Sequence, residues 1–294
     1  MTQKQANLLL ATVSVGWGTS YIFMKLLADT VSPFTVVALR FGIAFLIMIV
    51  ILNKKLISVN TKILSYSAIV GVLLCGIFIS LMYGIKTTSA SSAGFLTSTT
   101  VILVPVLQTL ISRKLPRKEV IYGVITVSIG LALLTVKDDF TFAFGLGSLL
   151  CLLAAFLYGV HIIVTNYFVQ KVDAFQLGIF QLGFAFLFAL IGKFIFETPV
   201  LPNGVMEWSA ILGLAIICSA YGFVMQPIAQ KYTTPESTGF LFSLEPVFSA
   251  LFAFIFLHEN MGGKGYIGAL LILAGVLIAN TSLKKQIVLM EMKE

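Results

Sequence analysis

The sequence has few charged residues, which make up only 11% of its 294 positions. A soluble domain usually has about 25% charged residues, because its surface has to be covered by polar groups. Hydrophobic residues instead make up 59% of the chain. This composition excludes an ordinary soluble fold and indicates a protein that lies in lipid.

Cysteine and histidine are also scarce, with three and two residues respectively. Cys75, Cys151 and Cys218 lie inside apolar runs and show no spacing typical of a metal or redox pair. The sequence has no histidine–acid cluster for a metal, no Gly-rich phosphate loop, no Asp-rich pair and no His-x-x-Glu-type box. We therefore expect no enzyme, no metal site and no cofactor.

The apolar residues form runs of about 20, the length that a helix needs to cross a hydrocarbon core of about 30 Å. Strands of a membrane barrel would instead alternate over about ten residues. The pattern predicts an all-α integral membrane protein with about ten transmembrane helices. The predicted spans are Asn7–Ala28, Pro33–Leu52, Ile63–Gly84, Ser89–Ser112, Val120–Val136, Phe144–Val169, Phe175–Phe196, Trp208–Ala229, Pro235–Leu257 and Gly265–Ser282.

Lysine and arginine in the connecting segments predict the orientation, because they are enriched on the cytoplasmic side. With both termini cytoplasmic, thirteen of these residues lie inside and four or five lie outside. The inside set includes Lys54, Lys55 and the cluster 113–118, and the outside set includes Lys137. The net charge of +7 is thus a topology signal that favours lipid headgroups as partners and not nucleic acid.

Comparison of the chain with itself predicts an internal repeat. A shift of 141 aligns Trp17 with Tyr158 and places 41–46 on 182–187. A shift of 142 aligns 66–71 with 208–213, and a shift of 145 aligns 92–98 with 237–243. The predicted repeats are residues 1–139 and 140–294, with helices 1–5 and 6–10. Because five spans are an odd number, the repeats would be inverted, as in many secondary transporters.

Several short motifs resemble the EamA repeats of the drug/metabolite transporter (DMT) superfamily. The first repeat has Trp17-Gly18-Thr19-Ser20, Lys25, Pro33, Arg40-Phe41 and Thr88-Ser89-Ala90. The second has Leu244-Glu245-Pro246-Val247, His258-Glu259 and the run 268–275. The sequence departs from the pattern at Arg113-Lys114, which stands where the second repeat has His258-Glu259. The resemblance covers nearly the whole chain and implies ten helices, cytoplasmic termini and export of amino acids or other small metabolites.

Ionisable residues inside spans are costly, so they are candidates for a substrate pathway. Glu245 lies near the middle of span nine, before Pro246, which frees a backbone carbonyl near Leu241–Phe242. It is a candidate proton-coupling group or a site for a substrate ammonium. The alternative is a structural partner for Arg40 or for free backbone N–H groups.

Arg40 and His161 are the other two ionisable candidates. Arg40 stays charged in span two and needs acceptors, either as a structural anchor or as a ligand for a substrate carboxylate. Gln181 aligns with Arg40 in the repeat. His161 can carry a proton, but a lone histidine is also commonly a packing residue.

Uncharged candidates for the pathway complete the predicted site. Trp17 and Tyr158 match between the repeats in mid-span, where aromatic residues can line a ligand cavity. The other candidates are Tyr83, Tyr221 and Gln226. Each of these side chains could equally pack against neighbouring helices or lipid.

We predict a secondary transporter that works by alternating access and exports amino acids or similar small polar metabolites. Its expected partners are a small-molecule substrate, H⁺ as a candidate coupling ion, and the lipid bilayer, in a monomer or homodimer. The expected location is the cell inner (plasma) membrane, crossed many times. Two alternatives are a membrane-embedded enzyme or sensor that acts on lipid, and a passive channel.

Overall fold

The computed structural model describes residues 1–52, 59–88, 90–135, 145–198, 200–257 and 262–291, and all regular secondary structure in these ranges is helical. The predicted breaks at 53–55 and 137–139, the pair His258-Glu259 and the boundary between residues 139 and 140 lie outside these ranges. The helices are α1 (Gln3–Gly18), α2 (Ser20–Ala28), α3 (Pro33–Leu52), α4 (Thr61–Thr87), α5 (Ala90–Ser98), α6 (Thr100–Ser112), α7 (Lys118–Thr135), α8 (Leu146–Val169), α9 (Ala174–Phe196), α10 (Val205–Gly213), α11 (Gly222–Gln230), α12 (Pro235–Phe242), α13 (Glu245–Leu257) and α14 (Gly262–Glu291), with a π-helical segment, Leu214–Tyr221, between α10 and α11.

Six stretches of the described chain are long and apolar enough to cross a membrane. They are Pro33–Ile51, Thr61–Thr87, Ala93–Ser112, Leu146–Val169, Ala174–Phe196 and Val205–Gln230. Large apolar side chains such as Leu110, Ile111 and Phe194 are more than 60% exposed on the outside of the bundle. Such a surface suits contact with lipid tails. The count of ten spans and the side of each terminus remain predictions.

Polar residues determine where several helices begin. Asn60 accepts a hydrogen bond from the backbone N–H of Ile63 at the start of α4. Asp173 does the same for Gln176 at the start of α9. These side chains satisfy donors that have no partner within the helix, so the helix ends coincide with the polar breaks between apolar runs.

Helices α3 and α9, which correspond in the predicted repeat, pack through two reciprocal contacts. A Cβ atom added to Gly42 would lie 2.8 Å from the Phe186 ring, and one added to Gly183 would lie 2.8 Å from the Phe45 ring. Because residue numbers rise along α3 while those of the contacts fall along α9, the two helices are antiparallel. The absence of a side chain on each glycine admits the partner's ring.

Helices α7 and α14 repeat this arrangement with smaller residues. Added Cβ atoms on Gly123 and Gly130 would lie 3.1 and 2.7 Å from the carbonyl oxygens of Gly275 and Gly268. These contacts again run in opposite directions along the two helices. Glycines allow the backbones to approach closely, which is the usual means of helix association in membranes.

Three of the long helical stretches are interrupted. At each interruption, a hydroxyl side chain donates a hydrogen bond to the backbone carbonyl three residues earlier. Thr19 separates α1 from α2, and its hydroxyl donates to the Gly16 carbonyl at 2.7 Å. Thr99 separates α5 from α6 and donates to the Leu96 carbonyl at 2.6 Å. Ser243 lies between α12 and α13 and donates to the Phe240 carbonyl at 2.6 Å. Such bonds compete with the regular helical pattern.

Candidate functional site

The breaks at Thr99 and Ser243–Leu244 lie at equivalent positions, since a shift of 145 carries Thr99 onto Leu244. Pro246 contributes to the second break because it cannot donate a hydrogen bond to the Phe242 carbonyl. The neighbouring Leu241 carbonyl accepts a hydrogen bond from Ser14 of α1 at 2.9 Å. Interrupted helices at matching positions of two halves are typical of the substrate site in transporters.

A cavity lies between these two breaks, and we call it the Glu245 cavity. It is lined by Tyr21, Thr97, Ser98, Thr100, Val101, Tyr158, Gly239, Phe242, Ser243 and Glu245. Its volume of about 10 Å³ leaves room for about one group of the size of a water molecule. The cavity is therefore narrow, and most of its polar lining comes from the two interrupted stretches.

Glu245 is the only charged residue in this lining, and it is the first residue of α13. In the described chain, Glu245 and Arg40 interact electrostatically but form no contact ion pair. The described residues therefore show no direct pairing of Glu245 with Arg40, which was the alternative role.

Three aromatic rings lie on one side of the Glu245 cavity. Tyr158 and Phe242 line it, and Trp17 packs behind them. Tyr158 stacks on Phe242 with a centroid distance of 5.7 Å and an angle of 5°. Its hydroxyl is buried without a hydrogen-bond partner. Trp17 packs on Phe242 at 4.7 Å and on Tyr158 at 6.0 Å. The two residues that the repeat aligns, Trp17 and Tyr158, therefore meet beside the cavity.

Trp17 is held in place by the π-helical segment. Its indole N–H donates to the Cys218 carbonyl at 2.7 Å. A Cβ atom on Gly222 would overlap the same indole nitrogen, so the position of the ring requires the glycine. A π-helix changes the register of backbone bonds and frequently occurs at functional sites. Here it presents a carbonyl group to the aromatic cluster.

Arg40 is buried outside the Glu245 cavity, with 1% of its surface exposed. Its Nε donates to the Ser219 hydroxyl at 3.0 Å. The guanidinium lies 4.1 Å from the centre of the Phe78 ring, a distance that gives a favourable cation–π contact. One terminal nitrogen has no hydrogen-bond partner. These contacts hold the guanidinium between α3, α4 and the π-helical segment.

His161, Gln181 and Gln226 form a buried layer behind the aromatic rings. His161 Nε2 lies 3.1 Å from Gln181 Oε1, and Gln181 donates through Nε2 to the Phe223 carbonyl at 2.6 Å. Gln226 donates to Gln230, which donates to the Ile162 carbonyl. None of these side chains lines the Glu245 cavity. They join α8 and α9 to α11.

Two predicted residues lie away from this cluster. Tyr221 is 37% exposed on the surface of the bundle, and its hydroxyl lies 2.7 Å from that of Thr12. Tyr83 is near the end of α4 and donates to Glu197 at 2.8 Å. Glu197 also accepts a hydrogen bond from the backbone N–H of Phe34. Tyr83 therefore connects helix ends.

Five of the hydroxyl residues that line the cavity are not among the site residues predicted from the sequence. They are Tyr21, Thr97, Ser98, Thr100 and Ser243. A signal was present, because four consecutive hydroxyl residues, 97–100, interrupt an otherwise apolar span. The self-alignment also placed Ser98 on Ser243, one on each side of the cavity.

The apolar spans, the interrupted helices and the cavity between them define a helical, multi-pass membrane protein of the transporter type. The EamA-like transporter family matches residues 4–136 and again residues 145–281. The chain belongs to this family, which confirms the resemblance found in the sequence. Each match covers about half of the chain.

Individual relatives agree with the family assignment. An uncharacterized transporter from Archaeoglobus fulgidus is 28% identical over 276 residues, with 94% of this chain and 85% of the relative covered. The uncharacterized transporter YetK from Bacillus subtilis is 23% identical over 300 residues, with 97% and 88% covered. One crystal structure superposes with a TM-score of 0.79 at 19% identity and covers 96% of this chain and 99% of the other. That likeness concerns the fold alone.

Proposed function

We propose that the protein is a secondary transporter that exports amino acids or similar small polar metabolites across the plasma membrane. It has ten spans with both termini in the cytoplasm, and its inverted halves, 1–139 and 140–294, alternate access to one site. It works as a monomer or homodimer. The observation that carries this proposal is the cavity between breaks at equivalent positions, Thr99 and Ser243–Leu244.

The reciprocal packing of the halves supports alternating access. The pair Gly42–Phe186 mirrors Gly183–Phe45. In the same way, Gly18 approaches Phe248 and Gly159 approaches Leu103, which is the residue that a shift of 145 carries onto Phe248. Two halves with equivalent contacts can exchange conformations at similar free energy, so inward-open and outward-open states become accessible in turn.

A second cavity supports a path to the predicted cytoplasmic side. Its volume is about 330 Å³, and it extends from Gln108 to Arg117 and along the start of α12. Phe240 lines this cavity, and Val104 contacts Gly239 in the lining of the Glu245 cavity; both side chains are at most 1% exposed. We propose that they close the cytoplasmic entrance in this conformation.

Uptake of radiolabelled amino acids and metabolites into proteoliposomes, with and without a pH gradient, tests the proposal. Saturable uptake of at least one compound is expected, and no uptake by folded protein would contradict it. Glu245 is the candidate coupling group for H⁺. If Glu245→Gln keeps full gradient-driven transport, that role is excluded while the transport function stands.

The alternatives make different predictions in the same preparation. A passive channel would give flux that does not saturate with substrate. An enzyme or sensor that acts on lipid would need polar groups exposed to lipid at one interface. The cavity residues Thr97, Tyr158 and Ser243 are buried inside the bundle, which favours a small substrate that enters through the protein.

A further inference from the structure

The serine and threonine hydroxyls around the Glu245 cavity already donate their hydrogens to backbone carbonyls, whereas the Tyr158 hydroxyl has no partner. Thr97 donates to the Ala93 carbonyl and Ser98 to the Gly94 carbonyl, both at 2.8 Å. Thr100 donates to the carbonyls of Thr97 and Ala155, at 2.8 and 3.0 Å. Because a hydroxyl has one hydrogen and two lone pairs, these oxygens can only accept further hydrogen bonds.

Ser243 completes this pattern from the other half of the protein. Its hydroxyl donates to the Phe240 carbonyl at 2.6 Å. The carboxylate of Glu245 is also an acceptor when ionised. The cavity thus combines acceptor oxygens from both interrupted stretches with one carboxyl group that can carry a negative charge. No lysine or arginine is among the residues that line it.

This chemistry matches one kind of ligand group. A primary ammonium has three donors, no acceptor and a positive charge, and it is close to a water molecule in size. Arg40 cannot take its place, because its guanidinium is held at Ser219 and Phe78. The unpaired Tyr158 hydroxyl and the nearby Phe242 ring complete the wall. A carboxylate ligand would find neither a cation nor free donors from these serines and threonines.

We propose that Glu245 and the surrounding hydroxyl oxygens bind the protonated amino group of the transported molecule. The substrates are then amines or zwitterions with an accessible amino group, and not simple anions. As a statement about substrates, this inference rests on the proposed transport function. The binding of the ammonium group itself can be tested without transport.

Trp17 provides an internal reporter for this binding. The chain has two tryptophans, and Trp208 is 40% exposed at the start of α10. A Trp208→Phe variant therefore leaves one emitter, which contacts both Tyr158 and Phe242. The purified variant is titrated with n-propylammonium, n-propanol and propionate at constant ionic strength. A saturable change in emission is expected for n-propylammonium alone.

Variants of two carboxylates distinguish the site from general charge effects. In the Trp208→Phe background, Glu245→Gln should weaken n-propylammonium binding at least about tenfold, since the amide oxygen can still accept a hydrogen bond but has no negative charge to attract the ammonium. Glu236→Gln is the matched control, because Glu236 lies on α12 and lines only the second cavity. It should bind n-propylammonium like the parent.

A further variant keeps the test decisive if Glu245→Gln does not fold. Thr97→Val removes one acceptor oxygen at nearly constant shape, and it should weaken n-propylammonium binding several-fold with the emission of the free protein retained. Equal responses to propionate and n-propylammonium would overturn the proposal. Unchanged binding in Glu245→Gln, or in Thr97→Val when Glu245→Gln is unfolded, would do so as well.

The transport function and the ammonium site can be contradicted independently of each other. Binding of n-propylammonium by a protein that transports nothing would contradict the transporter function and leave the ammonium site intact. Saturable transport of anions that lack an amino group, with no response to n-propylammonium, would leave the transporter function intact and contradict the ammonium site.

Discussion

The backbone of Gly42 lies against the ring of Phe186, and Gly183 lies in the same way against Phe45. A shift of 141 carries Gly42 onto Gly183 and Phe45 onto Phe186. The two contacts are therefore related by the internal repeat, and they join the halves at antiparallel helices. This reciprocity is the structural basis for the idea that the halves can exchange roles.

Substitution of either glycine should destabilise the protein to a similar degree. Gly42→Val and Gly183→Val each place a side chain where a phenyl ring lies, and overpacking of this kind costs about 1–3 kcal/mol. Thermal unfolding in detergent measures the effect. Gly204→Ala is the control, because an added Cβ there would have no atom within 4 Å. A large loss at one glycine and none at the other would contradict the reciprocal packing.

Replacement of Trp17 by phenylalanine should reduce stability modestly and impair transport. The variant keeps an aromatic ring beside Phe242 but loses the hydrogen bond to the Cys218 carbonyl, which contributes about 0.5–1.5 kcal/mol. Thermal unfolding and proteoliposome uptake measure the two effects. Trp208→Phe, at the exposed start of α10, should change neither. If Trp17→Phe transports normally, the aromatic cluster does not shape the site.

Arg40 should prove to be a structural residue. Arg40→Met removes the hydrogen bond to Ser219 and the cation–π contact with Phe78, so it should lower the stability by about 1–3 kcal/mol without impairing transport by the folded protein. Ser219→Ala should cost about 1–3 kcal/mol, since it leaves the Arg40 Nε without its acceptor. Unfolding midpoints give both values. Loss of transport in a folded Arg40→Met protein would instead assign Arg40 a role in substrate binding.

Thr61 and Asn203 test the inverted topology. A shift of 142 relates them, and both are exposed at helix starts. In the inverted arrangement they lie on opposite sides of the membrane. Thr61→Cys and Asn203→Cys can be labelled in intact cells with a membrane-impermeant maleimide, because the three native cysteines are buried. Only Asn203→Cys should react from outside. Reaction of both would contradict the inversion.

The sequence predicted the positions of the apolar stretches well, because hydropathy over about 20 residues reports the length needed to cross the bilayer. It also paired Trp17 with Tyr158, which lie beside the same cavity. It could not predict which way side chains point. Helix α3 is apolar on nearly all sides, so no amphipathic pattern shows which face contacts lipid and which contacts protein.

The breaks inside the spans were missed for a related reason. A hydropathy average passes over a single threonine such as Thr99, although its hydroxyl bonds the Leu96 carbonyl at the point where the helix is interrupted. Tyr221 shows the same limit. It was a candidate for the pathway because it lies inside span eight, but it ends the π-helical segment and is 37% exposed on the surface.

Counterflow tests the central claim of alternating access most directly. Proteoliposomes are loaded with unlabelled substrate identified in the uptake screen, and entry of a trace of labelled substrate is followed without any ion gradient. The account predicts transient accumulation of label above its equilibrium level, and loss of this accumulation in Trp17→Phe. Label that only equilibrates, at a rate proportional to its concentration, would show a passive pore and contradict the account.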